Sequence, residues 1–457
     1  MLPESRINII QNWINEYVNN MPNPATSLVV GVSGGIDSAV VSTICSMTGI
    51  KTFALSMPIK QIQEQDDLSK KHCKWLLNKF KRDFPQATIA RYDSVNRDNS
   101  VQGIHSVTNT WLTPSYRFDK ANVVVSFDSD FLGNEPGQVR HTNQFSSRRD
   151  PDSKEMNRLY VFESRFSITG SKADHRYPVR SSKIELVLWK IVDRLLSSNQ
   201  ISLPASISNY IRQGVRSDVT VNERLIDSVI DDLTKNKGRS IIVAGSNQPE
   251  SVHGLVYILN QALMNNARTV KYRPLNFSSH SYVKQSSVES ISNLCADINK
   301  GDISTLFILG GNPVYDAPSD LNFSDTLSKV KHVAHLTLFE NETTKASKWR
   351  VPASHYLEMW DDAVAIDGSV TLVQPLIRPM YESVPYLNLV ARLTGSKKGD
   401  YSQVRQTWRQ RTSVGFQRKW EKWLHDGVVY GPSKSSYGDE FVSSKFLSEI
   451  RKALDVN

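Results

Sequence analysis

The hexapeptide Ser33-Gly34-Gly35-Ile36-Asp37-Ser38 sets the sharpest limit on how this chain begins to fold. It follows a short apolar run, Leu28 to Val32, and precedes a helical stretch over 37–48 that stops at Gly49. Ahead of it, Ile7, Ile10, Ile14 and Tyr17 recur at three- and four-residue steps and predict a helix over 4–19. A strand at Thr52–Leu55 and a basic helix over 62–80 come after. This β-α-β-α order is the start of a parallel α/β sheet. Gly34 and Gly35 permit a tight turn, so the loop amides and the helix N-terminus face an anion. Ser33 and Ser38 add hydroxyl donors, and Asp37 can hold a Mg2+ that neutralises phosphate charge. No Gly-Lys-Ser/Thr follows, so the loop is not of the Walker type, nor does it read Gly-x-Gly-x-x-Gly. The competing reading is an ordinary glycine-containing strand-to-helix turn.

The stretch LVVGVSGGIDSAVVS, followed by a strand and LSMPIKQ, resembles the amino-terminal section of ammonia-dependent NAD synthetases over roughly residues 1–80. The resemblance implies that Ser33, Gly34, Gly35, Asp37 and Ser38 grip the pyrophosphate of Mg-ATP, with Asp37 toward the Mg2+ and Met57 on the adenine side. The implied reaction is amidation of deamido-NAD through an adenylated carboxylate. The family's later Gly-Thr/Ser-x-Asn-Lys-type segment and its Arg-rich dinucleotide helix have no counterpart. GSNQPE at 245–250 departs from the former at Gln248 and Pro249, and no glutaminase with a catalytic Cys is present.

From about 83 to 425 the sequence resembles a different family. The matching stretches, in order, are ARYDSVN at 90–96, YRFDKANVVVSFDSDFLG at 116–133, FSSRRD at 145–150 and NRLYVFESRFSITGSKADHR at 157–176. VAGSNQPESVHGL at 243–255, LFILGGNPVYDAPSDLNF at 306–323 and WRVPASHYLEMWDDAVAIDGSVTLVQPLI at 349–377 continue them. Together they are similar to the molybdopterin-oxidoreductase-like domain of the iron–sulfur subunit of the quinol:cytochrome c oxidoreductase known as alternative complex III. That resemblance implies a multi-domain α/β region, other respiratory subunits as partners, and a membrane complex on the periplasmic side. The family domain carries no molybdenum, and its clusters belong to a ferredoxin-like part with CxxCxxC-type ligands. The chain's three cysteines, Cys45, Cys73 and Cys295, form no CxxC pair, so neither a disulfide framework, a zinc site nor an iron–sulfur cluster is expected. Cys295 reads as a buried structural thiol inside a helix.

The expected fold is therefore α/β: a truncated ATP-pyrophosphatase-like unit at 1–80, molybdopterin-oxidoreductase-like parts at 81–237 and 238–378, and a helical segment at 379–457. Residues 81–120 show few long periodic segments. Strands are predicted at 121–127, 159–163, 240–244, 305–309 and 332–338, and helices at 182–197, 221–234 and 251–265. The strands at 240–244 and 305–309 each lead into a Gly-x-Asn-x-Pro-like loop, which suggests one doubly wound sheet with ligand loops at its carboxyl edge. Polar candidates are Asp128 and Asp130 at a strand end, the triplet Asp174, His175 and Arg176, the pair His355 and Glu358, and Asp361 with Asp362. For these, metal ligation competes with loop hydrogen bonding or salt bridging, and the missing second His weakens His355–Glu358. The net charge of +9 is scattered among acids, which argues for a solvated basic surface and no nucleic-acid partner. No apolar run reaches the roughly 18 residues of a membrane span. The amino terminus lacks a basic region followed by an apolar block, so a cytoplasmic chain is expected. The two pieces admit three readings: a non-redox module with an incomplete ATP-gripping start, an ATP-dependent NAD synthetase, or an accidental join near residue 80.

Overall fold

The computed structural model describes residues 3–20, 27–31, 51–55, 84–152, 156–214, 222–274, 285–365, 369–412 and 415–429. The chain divides into two compact units, residues 1–63 and 64–457. In the first, helix α1 (Pro3–Asn19) realises the expected amphipathic helix, and strands β1 (Ser27–Gly31) and β2 (Lys51–Leu55) pair in parallel with Val29 opposite Phe53. Parallel pairing is the geometry expected at the start of an α/β sheet. The SGGIDS loop, Met57, the 62–80 helix and the expected junction near residue 80 lie outside the described residues.

The first described elements of the second unit are helix α2 (Asp98–Thr108) and strand β3 (Leu112–Tyr116), followed by β4 (Val123–Phe127), α3 (Gln138–Ser146), β5 (Arg158–Glu163) and β6 (His175–Pro178). Helices α4 (Ile184–Ser197), α5 (Ala205–Gly214) and α6 (Glu223–Lys235) come next, then β7 (Ser240–Ala244), α7 (Glu250–Ala262) and β8 (Val270–Pro274). Four of these strands form a parallel sheet in the order β6-β5-β4-β7. All five residues of β4 are buried, as an unbroken Val-rich run requires when both faces of a sheet are covered. Helix α4 carries Leu188, Trp189, Ile191, Val192 and Leu195 into the same core.

The free edge of β7 is closed by side chains. Asn260 Oδ1 accepts from the Ile242 amide at 3.1 Å while its Nδ2 donates to the Ile242 carbonyl at 2.8 Å. Asn265 Oδ1 accepts from the Ser240 amide at 3.3 Å, and Thr269 Oγ1 donates to the Ser240 carbonyl at 2.6 Å. These bonds satisfy backbone groups that would otherwise be buried without partners.

The polar stretch 81–120, which shows little periodicity, contains α2 and β3. Helix α2 buries Ile104 and Val107 together with Ser106 and Thr108. The two hydroxyls bond back to the carbonyls of Gly103 (2.7 Å) and Ile104 (2.9 Å), so they enter the core already satisfied. The helix packs on α7 at Gly103, where a Cβ would fall 2.3 Å from the Glu250 carbonyl oxygen. Strand β3 pairs antiparallel with β8.

Farther along, helix α8 (Ser287–Lys300) precedes β9 (Thr305–Leu309), β10 (His332–Thr337) and β11 (Trp349–Pro352), a separate parallel sheet of order β11-β10-β9. This corrects the expectation of one sheet running through 240–244, 305–309 and 332–338. Strand β7 joins β4 instead, and on its other edge the backbone groups of Ser240 and Ile242 are already taken by Asn260, Asn265 and Thr269. The last described elements are β12 (Asp361–Val364), β13 (Val370–Val373), α9 (Tyr386–Leu393), α10 (Asp400–Arg411), α11 (Phe416–Asp426) and β14 (Val428–Val429). They enclose a small core of Val370, Leu372, Leu387, Val404, Trp408 and Trp420. Among the described residues no helix is long and apolar enough to cross a membrane.

Candidate functional site

The strands of a parallel sheet point their carboxyl ends at one rim, where the loops that follow them meet. Beyond β4 the chain turns at Asp128 with φ 58°, a left-handed conformation that Asp tolerates better than most residues. Asp128 Oδ1 accepts from the Ser164 amide at 2.9 Å and from Ser164 Oγ at 3.0 Å, while Oδ2 accepts from Gln248 Nε2 at 3.1 Å. One carboxylate thus joins the loops after β4, β5 and β7. Gly245 lies against this joint, and a Cβ there would fall 2.1 Å from the Asp128 carbonyl oxygen.

Two residues on, Asp130 Oδ1 accepts from Thr169 through its amide (3.0 Å) and its Oγ1 (2.9 Å). Glu163 closes β5 at 2% exposure and accepts from Arg176 Nε and Ser167 Oγ. Glu135 Oε1 accepts from the Ser246 amide at 3.1 Å; burial pushes the Glu135 carboxyl up, and the Ser246 bonds partly oppose it. His253, beneath the β7 loop, is pushed down to about 4 by burial against an opposing hydrogen bond with Gly245, so the ring is neutral at physiological pH.

The sequence marks Asp128 and Asp130 at a strand end, and the structure places both on this rim. It brings Glu135, Glu163, Ser164, Thr169 and Gln248 to them, which the sequence reading did not single out. Glu163 left a faint trace as an acid closing an apolar run; the others carry no local signal. The triplet separates: Arg176 reaches Glu163, His175 stacks on Tyr160 at 4.9 Å, and Asp174 pairs with Arg149 through two 2.8 Å contacts and accepts from the Leu159 amide. Burial works to raise the Asp174 carboxyl, but the Arg149 and Leu159 bonds outweigh it and hold the group below its usual range. His355 and Glu358 cap one short turn: Glu358 Oε2 accepts from the His355 amide at 2.9 Å. Asp361 and Asp362 begin β12, in another part of the unit. Cys295 lies buried in α8 against Ile291 and Ile298, and burial pushes its thiol up. Ser33, Gly34, Gly35, Asp37, Ser38 and Met57 lie outside the described residues. Among the described residues no three His, Cys, Asp or Glu side chains gather closely enough to hold a metal ion.

At the rim, each carboxylate accepts bonds from the protein's own amides, hydroxyls or guanidinium. Such an arrangement ties loops to one another and lines the rim with acceptors that are already engaged.

Comparison with known proteins adds two likenesses. Residues 6–120 match the family model described as NAD synthase. The matched stretch runs past residue 80 to take in α2 and β3, which pack inside the second unit. A 75-residue stretch is 35% identical to the assimilatory nitrate reductase catalytic subunit of Bacillus subtilis and covers 16% of this chain. The chain spans only 11% of the length of that curated relative. Among solved structures, acetylene hydratase from Pelobacter acetylenicus superposes with a TM-score of 0.52 at 10% identity, over 98% of this chain and 66% of that one. At that identity the likeness is one of fold. The chain thus carries an NAD-synthase-like amino-terminal segment followed by an α/β region of molybdopterin-oxidoreductase-like fold.

Proposed function

We propose that the larger unit is a non-redox, molybdopterin-oxidoreductase-like module that works by assembling with other proteins. The respiratory subunits of an alternative complex III-like enzyme are the partners the sequence resemblance implies. The amino-terminal segment contributes an ATP-gripping loop, Ser33 to Ser38, without the rest of a ligase. The observation that supports this reading is the state of the rim. A molybdopterin is an anionic, phosphate-bearing group whose metal takes a further ligand from the protein. The rim residues do not fit it: Asp128 is engaged by Ser164 and Gln248, Asp130 by Thr169, and the Arg176 guanidinium by Glu163. Carboxylates facing a phosphate are repulsive, and opening the joint would leave buried donors without partners. Cys295 sits within α8, in an apolar cluster separate from the core of the β6-β5-β4-β7 sheet.

The NAD synthase match over 6–120 favours a second reading, in which the chain amidates deamido-NAD at the expense of ATP. That reaction needs a dinucleotide site to align the carboxylate with the α-phosphate, and the alignment supplies several kcal/mol of the barrier reduction. One preparation of the full-length protein tests both readings. Elemental analysis is expected to find molybdenum and iron far below one atom per chain. NAD formation from deamido-NAD, Mg-ATP and ammonia is expected to stay at background. Stoichiometric metal refutes the first reading. Turnover that disappears in Asp37→Ala establishes the second.

A further inference from the structure

We infer that the outward face of α10 is an anion-binding groove, built for a small ligand that carries two or more phosphate groups. A cavity of about 560 Å³ lies along this face, lined by Lys398, Tyr401, Ser402, Arg405, Gln406 and Arg409, with Gln410 at its end. From Tyr401 to Gln410 these positions recur at three- and four-residue steps and so share one side of the helix, with Lys398 just ahead of its first turn. The opposite side, with Gln403, Val404, Thr407 and Trp408, is buried.

The charge on α10 is segregated. Asp400 turns away from the groove: its Oδ2 accepts from the Trp360 amide at 2.8 Å and its Oδ1 from the Tyr401 amide at 3.0 Å. Asp362 meets the helix from the buried side, where Oδ2 accepts from Trp408 Nε1 at 2.8 Å. Among the described residues that line it, the groove holds three cations and no carboxylate. Two of them have neutral partners. Lys398 Nζ donates to Gln406 Oε1 at 2.8 Å, and Arg405 donates to Gln417 Oε1 at 2.6 Å while lying over the Phe416 ring at 5.4 Å. A carboxylate, Glu421, is reached only through Gln417, whose Nε2 donates to it. Among the described residues none of the three cations forms an ion pair.

Three cations with no ion pair among the described residues repel one another, and a bound anion relieves that repulsion. Arg405 and Arg409, one turn apart, present guanidinium forks that match phosphate oxygens, and Lys398 adds a point charge beyond them. The hydroxyls of Ser402 and Tyr401 and the amides of Gln406 and Gln410 supply neutral donors. The volume lies in the range of small-molecule sites, and the cations span about three helical turns, which suits more than one phosphate.

The test is calorimetric titration of the full-length protein with tripolyphosphate and, separately, with ADP and citrate. It is run in a Ser33→Ala, Asp37→Ala background that silences the amino-terminal loop. Tripolyphosphate and ADP are expected to bind and citrate to bind more weakly. Arg405→Gln with Arg409→Gln is expected to weaken binding by about a hundredfold, since each lost charge-assisted contact is worth roughly tenfold. Arg418→Gln with Lys419→Gln, the same charge change on exposed α11 positions outside the groove, is expected to leave affinity within about twofold. Arg409→Gln alone, which leaves the Arg405–Phe416 packing intact, guards against loss of folding and is expected to weaken binding in the same direction. Equal weakening by the Arg418/Lys419 pair, no binding of either phosphate compound, or citrate binding as tightly as tripolyphosphate would each overturn the proposal.

Discussion

Replacing Asp361 by Asn should raise stability at neutral pH and flatten its dependence on pH. Asp361 opens β12, with Asp362 beside it and Asp400 across from it at the start of α10. Burial, followed by the negative charge of Asp362 and then of Asp400, pushes the Asp361 carboxyl from 3.8 up to about 8, although the Asp362 amide donates to it at 2.8 Å. The folded protein therefore keeps a proton on Asp361 that the unfolded chain releases above about pH 4. This group's contribution to stability is full below the unfolded value, is lost steadily as pH rises toward the folded value, and is level above it. Within that window the slope is about 1.4 kcal/mol per pH unit, so raising the pH from about 6 to about 7.5 costs about 2 kcal/mol. Asn keeps an oxygen for the Asp362 amide and removes the titration. Urea unfolding followed by tryptophan fluorescence reads this region through Trp360, Trp408, Trp420 and Trp423, which pack in its core. The wild type is expected to lose stability from pH 6 to pH 7.5, and Asp361→Asn to hold level and exceed it at the upper end. A variant that keeps the wild-type slope, or is less stable at pH 7.5, would refute the reasoning.

Two further sites, each with a milder comparison variant, probe the loop joint and the α2–α7 packing. Asp128→Ala removes the joint between three loops and strands the Gln248 amide, which is 1% exposed, at a cost of about 2–4 kcal/mol in urea midpoint analysis. Asp128→Asn, which keeps one acceptor, should cost less than half of that. Gly103→Ala drives a methyl to 2.3 Å from the Glu250 carbonyl oxygen and should separate α2 from α7, costing about 1–3 kcal/mol by thermal unfolding. Ile104→Val, in the same helix, should cost about 1 kcal/mol, and an equal loss in the two variants would show that the close approach is not what limits the packing.

The strands were legible because a buried parallel strand has to be apolar on both faces. SIIVA and VVVSF are such runs, and the structure places strands on both. Helices α4 and α6 fall within two residues of their expected limits because their apolar positions repeat with the helical period. Helix α2 was hidden because Ser106 and Thr108 enter the core with their hydroxyls already bonded to the helix itself, a satisfaction that composition does not reveal. Asp128 and Asp130 stood out as acids after an apolar run. What they bind did not, since Ser164 lies 36 residues away and Gln248 lies 120. The sequence by itself determined where strands β1, β2, β4, β5, β7, β9 and β10 and helices α1, α4, α6 and α7 lie, and which acids end β4. Only the tertiary structure decided which strands share a sheet and whether those acids stay open to a ligand. Both depend on hydrogen bonds between distant segments: Asn260, Asn265 and Thr269 close the edge of β7, and Ser164 and Gln248 occupy Asp128.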